Sequence, residues 1–309
     1  MHTLTEPTRT TSATATRPGY FFVRGHPRSG TNWVSNLLNL HPAVSCTGEF
    51  HFETIYNAVH RTKSIPWQIT GREPIRTELE EAFGDMVRRC VSRACRDHKP
   101  DAAWHGDRTP SDLLCWMPGA RYIWVLRDGR DVAVSWTFHQ LRKGREVIEA
   151  SIPADASGHL LRLCDGFAKD PERFVREPEL LLGDEAWVRH VAGTWDRRYR
   201  SDTGAVREIE RPEFDGEVLA VRYEDLHADT EAQRDRMLEF LGLDPAESEP
   251  PSAETFTRAG YDSTDPTKYR RQGEVGDWKK YFTDQARAWY HDVAGDSLVR
   301  AGYAKDEHW

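Results

Sequence analysis

Tyr20-Phe21-Phe22-Val23-Arg24-Gly25-His26-Pro27-Arg28-Ser29-Gly30-Thr31-Asn32-Trp33 is the stretch from which the fold of this 309-residue chain can be read. Its first four residues are an apolar, aromatic and β-branched run with the length and content of a buried strand. Gly25, Pro27 and Gly30 then impose a tight turn. Beyond it Trp33, Val34, Leu37, Leu38 and Leu40 recur at helical spacing, and Pro42 ends the helix. A strand, a glycine-bracketed turn and a helix N-terminus together make a phosphate cradle. Successive amide N–H groups point into the turn, and the helix dipole favours an anion there.

The order of residues within the turn narrows the ligand. Gly25 and Gly30 have the spacing of a nucleoside-triphosphate loop, but Thr31 follows Gly30 directly, where such a loop has Lys before its Ser or Thr. The cation sits two residues ahead of Gly30, at Arg28. This suits one phosphate with a fixed guanidinium beside its outer bridging oxygen better than a β/γ-phosphate with Mg²⁺. The plain alternative is an ordinary Gly/Pro turn between strand and helix.

Bulk properties bound the partners. A net charge of −8 argues against nucleic acid, which needs a basic face. An anionic ligand must therefore be held by local arginine clusters, and Arg24/Arg28, Arg127/Arg130 and Arg270/Arg271 are the candidates. Hydrophobic content of 38% suffices for a globular core, and no internal boundary is visible. The expectation is one domain over 19–309 behind a Thr-rich, disordered leader, 1–18. The five cysteines (Cys46, Cys90, Cys95, Cys115 and Cys164) are odd in number and form no Cys-x-x-Cys pair, which reads as reduced thiols. The 13 histidines show no metal-ligand spacing, so no metal is expected. No apolar run approaches a membrane span and no secretory segment is present, so the expectation is a soluble, cytoplasmic protein without a membrane partner.

Along the chain, strands alternate with helices. Ala43–Glu49 reads as a short extended stretch ending at a carboxylate, followed by the aromatic/His cluster Phe50-His51-Phe52. Glu78–Arg96 is an amphipathic helix with Leu79, Phe83, Met86, Val87, Cys90, Val91 and Ala94 on one side. Ala102–Pro110 is a short strand broken at Gly106 and Pro110. Arg121–Arg127 is the clearest buried strand, turning at Asp128-Gly129 into a helix that Asp131 can cap. Residues 140–185 read as helical excursions over the top of the sheet, where binding specificity would reside. Trp187–Tyr199 and Thr230–Leu241 are helices, and Glu217–Tyr223 is another central strand. The alternation implies an α/β fold: one domain with a central parallel sheet flanked by helices, and ligands at the carboxyl ends of the strands.

Pro27-Arg28-Ser29-Gly30-Thr31-Asn32-Trp33 resembles the 5′-phosphosulfate loop of sulfotransferases that use 3′-phosphoadenosine 5′-phosphosulfate (PAPS). Two further stretches extend the resemblance over roughly residues 20–285. Val125-Leu126-Arg127-Asp128-Gly129-Arg130-Asp131-Val132-Ala133-Val134-Ser135 is similar to that family's 3′-phosphate site, with Arg127 at the strand end and Ser135 eight residues later. The alternative for Arg127 is a structural ion pair with Asp128 or Asp131. Arg270-Arg271-Gln272-Gly273-Glu274-Val275-Gly276-Asp277-Trp278-Lys279 looks like the loop that closes over the same phosphate, with Gln272 replacing the usual Lys. Ser29, Gly30, Thr31 and Asn32 would then hold the 5′-phosphate, with Arg28 at the leaving oxygen. Trp33, Tyr223 and Phe256 match positions near the adenine, and Arg271, Gln272 and Gly273 belong to the closing loop.

The resemblance implies in-line transfer of a sulfuryl group to a hydroxyl, less readily an amine, of a small-molecule or carbohydrate acceptor, with 3′,5′-ADP leaving. Cytosolic members carry a His base before the 3′-phosphate strand, and Arg108 stands at that position here, with His105 three residues earlier. Tyrosylprotein and carbohydrate members instead have a Glu after the first helix, and His41-Pro42…Cys46-Thr47-Gly48-Glu49 fits that pattern. Glu49 is therefore the expected base with Arg108 assisting, and His105 the alternative. Asp284 and Ala288 stand where cytosolic relatives have Val and Glu in a dimer contact, which leaves the oligomeric state open. Two other readings remain: a small-molecule kinase on a phosphate-loop scaffold, and a non-catalytic relative that binds adenosine bisphosphate.

Overall fold

The computed structural model describes residues 18–63, 73–114, 117–251, 267, 273–306 and 309. Apart from Pro18, the expected leader lies outside them, as do Phe256, Arg270, Arg271 and Gln272. Five strands, β1 (Gly19–Gly25), β2 (Val44–Cys46), β3 (Trp104–Arg108), β4 (Arg121–Leu126) and β5 (Glu217–Arg222), form one sheet in the order β2-β3-β1-β4-β5. Every pairing is parallel, as the strand–helix alternation predicts. Among the described residues the helices are α1 (Thr31–Leu38), α2 (Glu53–Lys63), α3 (Glu73–His98), α4 (Gly129–Lys143), α5 (Arg145–Ser151), α6 (Ala154–Lys169), α7 (Arg173–Arg176), α8 (Glu185–Ile209), α9 (Tyr223–Ala228), α10 (Thr230–Phe240), α11 (Trp278–Tyr281) and α12 (Asp284–Arg300).

The strands are apolar along their length because both faces of the sheet are covered. On one face Phe21, Val23, Ile123, Val125 and Val221 meet Val34, Leu37 and Leu38 of α1 and Met237 and Leu238 of α10. On the other, Phe22, Tyr122 and Trp124 meet α3. That helix buries Phe83, Val87, Val91 and Cys95, a row with i, i+4 spacing. Cys90, expected on the buried side, lies off this row and is exposed. A second core joins α4, α6, α8, α11 and α12 through Phe138, Leu160, Phe167, Trp187, Tyr281 and Tyr290. Within 140–185, α5 and α6 pack on α4, and α6 also packs on α8.

Two other local expectations need correction. β3 runs through Gly106 without a break. The ring of Phe21 lies over that position, and a Cβ there would come within 2.3 Å of it, so glycine makes room for a neighbour and does not end the strand. The cap of α4 is Asp128, whose carboxylate accepts from the Arg130 N–H, and Asp131 lies in the first turn.

One buried acid ties α8 to the sheet. Asp202 accepts from the Leu113 N–H at 2.7 Å and the Trp124 Nε1–H at 3.1 Å. Burial pushes its carboxyl up to about 7, against the pull of Arg198. Its folded value lies above the unfolded one of about 3.9, so the stability it contributes is full below about pH 4 and is lost as pH rises through about 7. Asp202→Asn should remove this slope. Between pH 4 and 7 the parent's denaturation midpoint should fall relative to the variant's, whatever constant offset the lost acceptor introduces.

Candidate functional site

The cradle follows β1 as the sequence leads one to expect. The Ser29 N–H donates to the His26 carbonyl at 3.0 Å, closing the turn. Arg28, in that turn, has φ 76°, a left-handed conformation uncommon for a residue with a side chain. Gly30 caps α1 at φ 102° without a side-chain acceptor, so the first-turn N–H groups of Thr31 and Asn32 have no partner within the helix. A Cβ on Gly30 would come within 2.7 Å of the Tyr223 ring, so this position also needs glycine to let the turn approach that ring.

The arginines divide into structural and site-facing groups. Arg24 is 1% exposed and donates to the Asp107 carboxylate at 2.5 Å and to the Asp107 carbonyl at 3.0 Å. Thr109 completes that carboxylate's shell at 3.1 Å to each oxygen. Arg130 is bidentate on Asp128. These two are absorbed by the fold, contrary to the expectation that their clusters bind anions. Among the described residues Arg127 makes no ion pair with Asp128 or Asp131, the alternative reading for it. It lies 4.1 Å over the Tyr223 ring and donates to the carbonyls of Arg28 at 3.0 Å and Glu274 at 3.2 Å. It is 8% exposed, and its Nε is buried with no hydrogen-bond partner among the described residues. The Arg28 Nε donates to the Ser135 Oγ at 3.2 Å.

The third motif docks on the same turn. Asp131 accepts from the N–H groups of Gly276 and Trp278, both at 2.8 Å, and the Tyr223 hydroxyl donates to the Gly273 carbonyl at 2.8 Å. The structure thus brings together Arg28, Ser29, Gly30, Thr31, Asn32, Arg127, Ser135, Tyr223 and Gly273. Trp33 is buried edge-on to Tyr223 at 5.6 Å and packs in the core beneath the sheet. Guanidinium, hydroxyl and amide donors therefore converge on one crevice, a set that fits an anionic ligand.

Glu49 and Arg108 also meet. The Arg108 Nη1 donates to the Glu49 Oε1 at 2.7 Å and to the Asn32 Oδ1, tying the carboxylate to the first turn of α1. Glu49 is 36% exposed and thus open to solvent. His105, the alternative base, is not brought to this pair. It is 2% exposed beneath α3, with Nδ1 3.0 Å from the Ser92 Oγ and its ring edge-on to Tyr20. Residues three apart on a strand point to opposite faces, which separates His105 from Arg108.

Sequence reasoning missed a neighbouring group. The Trp136 ring lies 5.9 Å from His26 and 5.7 Å from His139. Burial holds both imidazoles down, His26 at about 4, where Arg198 adds to the effect, and His139 at about 3, where Arg28 does. Both are neutral at pH 7. A small pocket adjoins the cradle, bounded by Ser29 and Arg127 and by Arg198, Tyr199 and Asp202 of α8. The one available sequence signal was the helical spacing that carries Trp136 and His139 onto the side of α4 facing the cradle. Among the described residues no group of His, Cys, Asp and Glu could hold a metal ion, and no helix is long and apolar enough to cross a membrane.

Comparison with known proteins finds relatives along most of the chain. Cytosolic sulfotransferase 1 of Danio rerio is 25% identical over 303 residues, covering 92% of this chain and 84% of its own length. Sulfotransferase 1 family member D1 of Rattus norvegicus is 24% identical over 86% of this chain and 79% of its own. Mouse sulfotransferase SULT7A1 complexed with PAP aligns over 93% of this chain and 87% of its own at 16% identity, with a TM-score of 0.43, too low to carry weight. The model of the sulfotransferase domain matches residues 18–301, and the chain belongs to that family of sulfuryl-transferring enzymes.

Proposed function

We propose that this protein transfers a sulfuryl group from PAPS to a hydroxyl of a small-molecule or carbohydrate acceptor in the cytoplasm. The observation that supports this best is the joining of three distant segments around one crevice by Arg28–Ser135, Arg127–Glu274 and Asp131–Gly276 contacts. Thr31 and the cradle amides hold the 5′-phosphate, and Arg127 with Ser135 takes the 3′-phosphate. Tyr223 supports Arg127 from below at 4.1 Å.

In the proposed step the acceptor oxygen forms a bond to sulfur while the bond from sulfur to the 5′-phosphate oxygen breaks. Glu49 takes the acceptor proton, and the electron pair of the broken bond leaves with 3′,5′-ADP. Charge grows on the bridging oxygen, where Arg28 acts electrostatically, since a guanidinium does not give up its proton in proteins. Arg108, 2.7 Å from Glu49, stabilises the equatorial sulfuryl oxygens and orients the base.

A ligand that binds the native state alone raises the melting temperature. PAPS and 3′,5′-ADP should do so here and ATP with Mg²⁺ should not, and the reverse order would favour a kinase. Arg28→Ala should lower sulfate transfer from labelled PAPS by roughly 10²–10³-fold while 3′,5′-ADP affinity stays within a few-fold. Arg127→Ala should instead weaken 3′,5′-ADP binding, and exchanged outcomes would mean that the two roles are misassigned. Glu49→Gln should reduce turnover by roughly 10²–10⁴-fold without changing donor affinity. An unaffected turnover would remove Glu49 as the base.

A further inference from the structure

Arg130 is placed unlike a ligand-binding arginine and unlike an ordinary ion pair. Its Nε donates to both Asp128 oxygens, at 2.9 and 3.2 Å, and its Nη2 donates to Asp128 Oδ2 and to the Tyr303 carbonyl, each at 2.7 Å. The guanidinium carbon is 3.9 Å from the centre of the Trp278 ring and 4.4 Å from that of Trp309. The two indoles are nearly perpendicular and 5.6 Å apart. A guanidinium held by a carboxylate at its edge and by two aromatic rings has little freedom left.

What this cluster touches gives it a consequence. Asp128 is fixed from the other side, its N–H donating to Glu224 Oε1 at 2.9 Å, while the Tyr303 hydroxyl donates to Glu224 Oε2 at 3.1 Å. Three residues on, Asp131 binds the N–H of the same Trp278 whose ring covers Arg130. The segment Gly273–Trp278 is thus pinned to the turn after β4 through its backbone by Asp131 and through its indole by Arg130. That segment supplies the carbonyl of Glu274 to Arg127 and the carbonyl of Gly273 to Tyr223.

We propose that Arg130 and Trp309 are positioning residues for the nucleotide site. Neither touches the reacting atoms. Together they clamp Trp278, so that Gly273–Trp278 fixes the orientation of Arg127 and Tyr223. The nucleotide half of this inference rests on the donor reading above, and the clamp itself does not.

Two measurements on the full chain separate the parts. In Trp309→Ala, hydrogen exchange at the Gly276 and Trp278 amides should accelerate by about tenfold, as expected from loss of one cation–π contact, while α12 amides keep their protection. The dissociation constant for 3′,5′-ADP should rise by a similar factor, about tenfold, with kcat at saturating PAPS within about twofold of the parent's. Trp309→Phe, which keeps an aromatic face, should restore most of both. Arg130→Met, which keeps the length and loses the charge, should reproduce the Trp309→Ala pattern. Unchanged exchange at Gly276 and Trp278, or acceleration spread equally through α12, would overturn the clamp. Accelerated exchange with unchanged 3′,5′-ADP affinity would overturn its role in binding. A parent protein that binds no 3′,5′-ADP would overturn the donor reading, and with it that role, while the exchange data still decide the clamp.

Discussion

The guanidinium of Arg127, over the Tyr223 ring at the carboxyl end of β4, is the interaction on which the site depends. Through it the cradle after β1, the turn before α4 and the segment before α11 become one surface. A buried cation is tolerable only where its donors are met and its face is covered. Two carbonyls and a phenol ring do most of this, and the buried Nε has no hydrogen-bond partner among the described residues.

The same reasoning sorts the other arginines of an acidic chain. Arg24 is satisfied by Asp107 and Arg130 by Asp128, so each is neutralised inside the fold. Arg28 and Arg127 turn toward the crevice. The net charge of −8 is therefore no obstacle to an anionic ligand, because the field that matters is set by guanidiniums within a few ångströms and screened from the acidic surface.

Much of this was legible in the sequence, for identifiable reasons. Strand, glycine turn and helix follow from local periodicity, and the cradle needs nothing beyond them. The Arg127–Ser135 spacing also survives, because it lies within one strand–helix unit. The partners of Arg24 and Arg130 were not legible, since nothing local says which acid a buried cation will meet. Asp131 looked like a cap because its real partners, Gly276 and Trp278, are far away in sequence. The separation of His105 from Arg108 is legible too, since an odd spacing on one strand puts two side chains on opposite faces.

The left-handed backbone at Arg28 has a consequence for how such a loop can change over time. A side chain held there costs on the order of 1–3 kcal/mol, and glycine would sit at that angle freely. Selection for toughness alone would drift toward glycine and a sturdier, inert protein. An arginine at that angle sets backbone strain against a charge held at a fixed point.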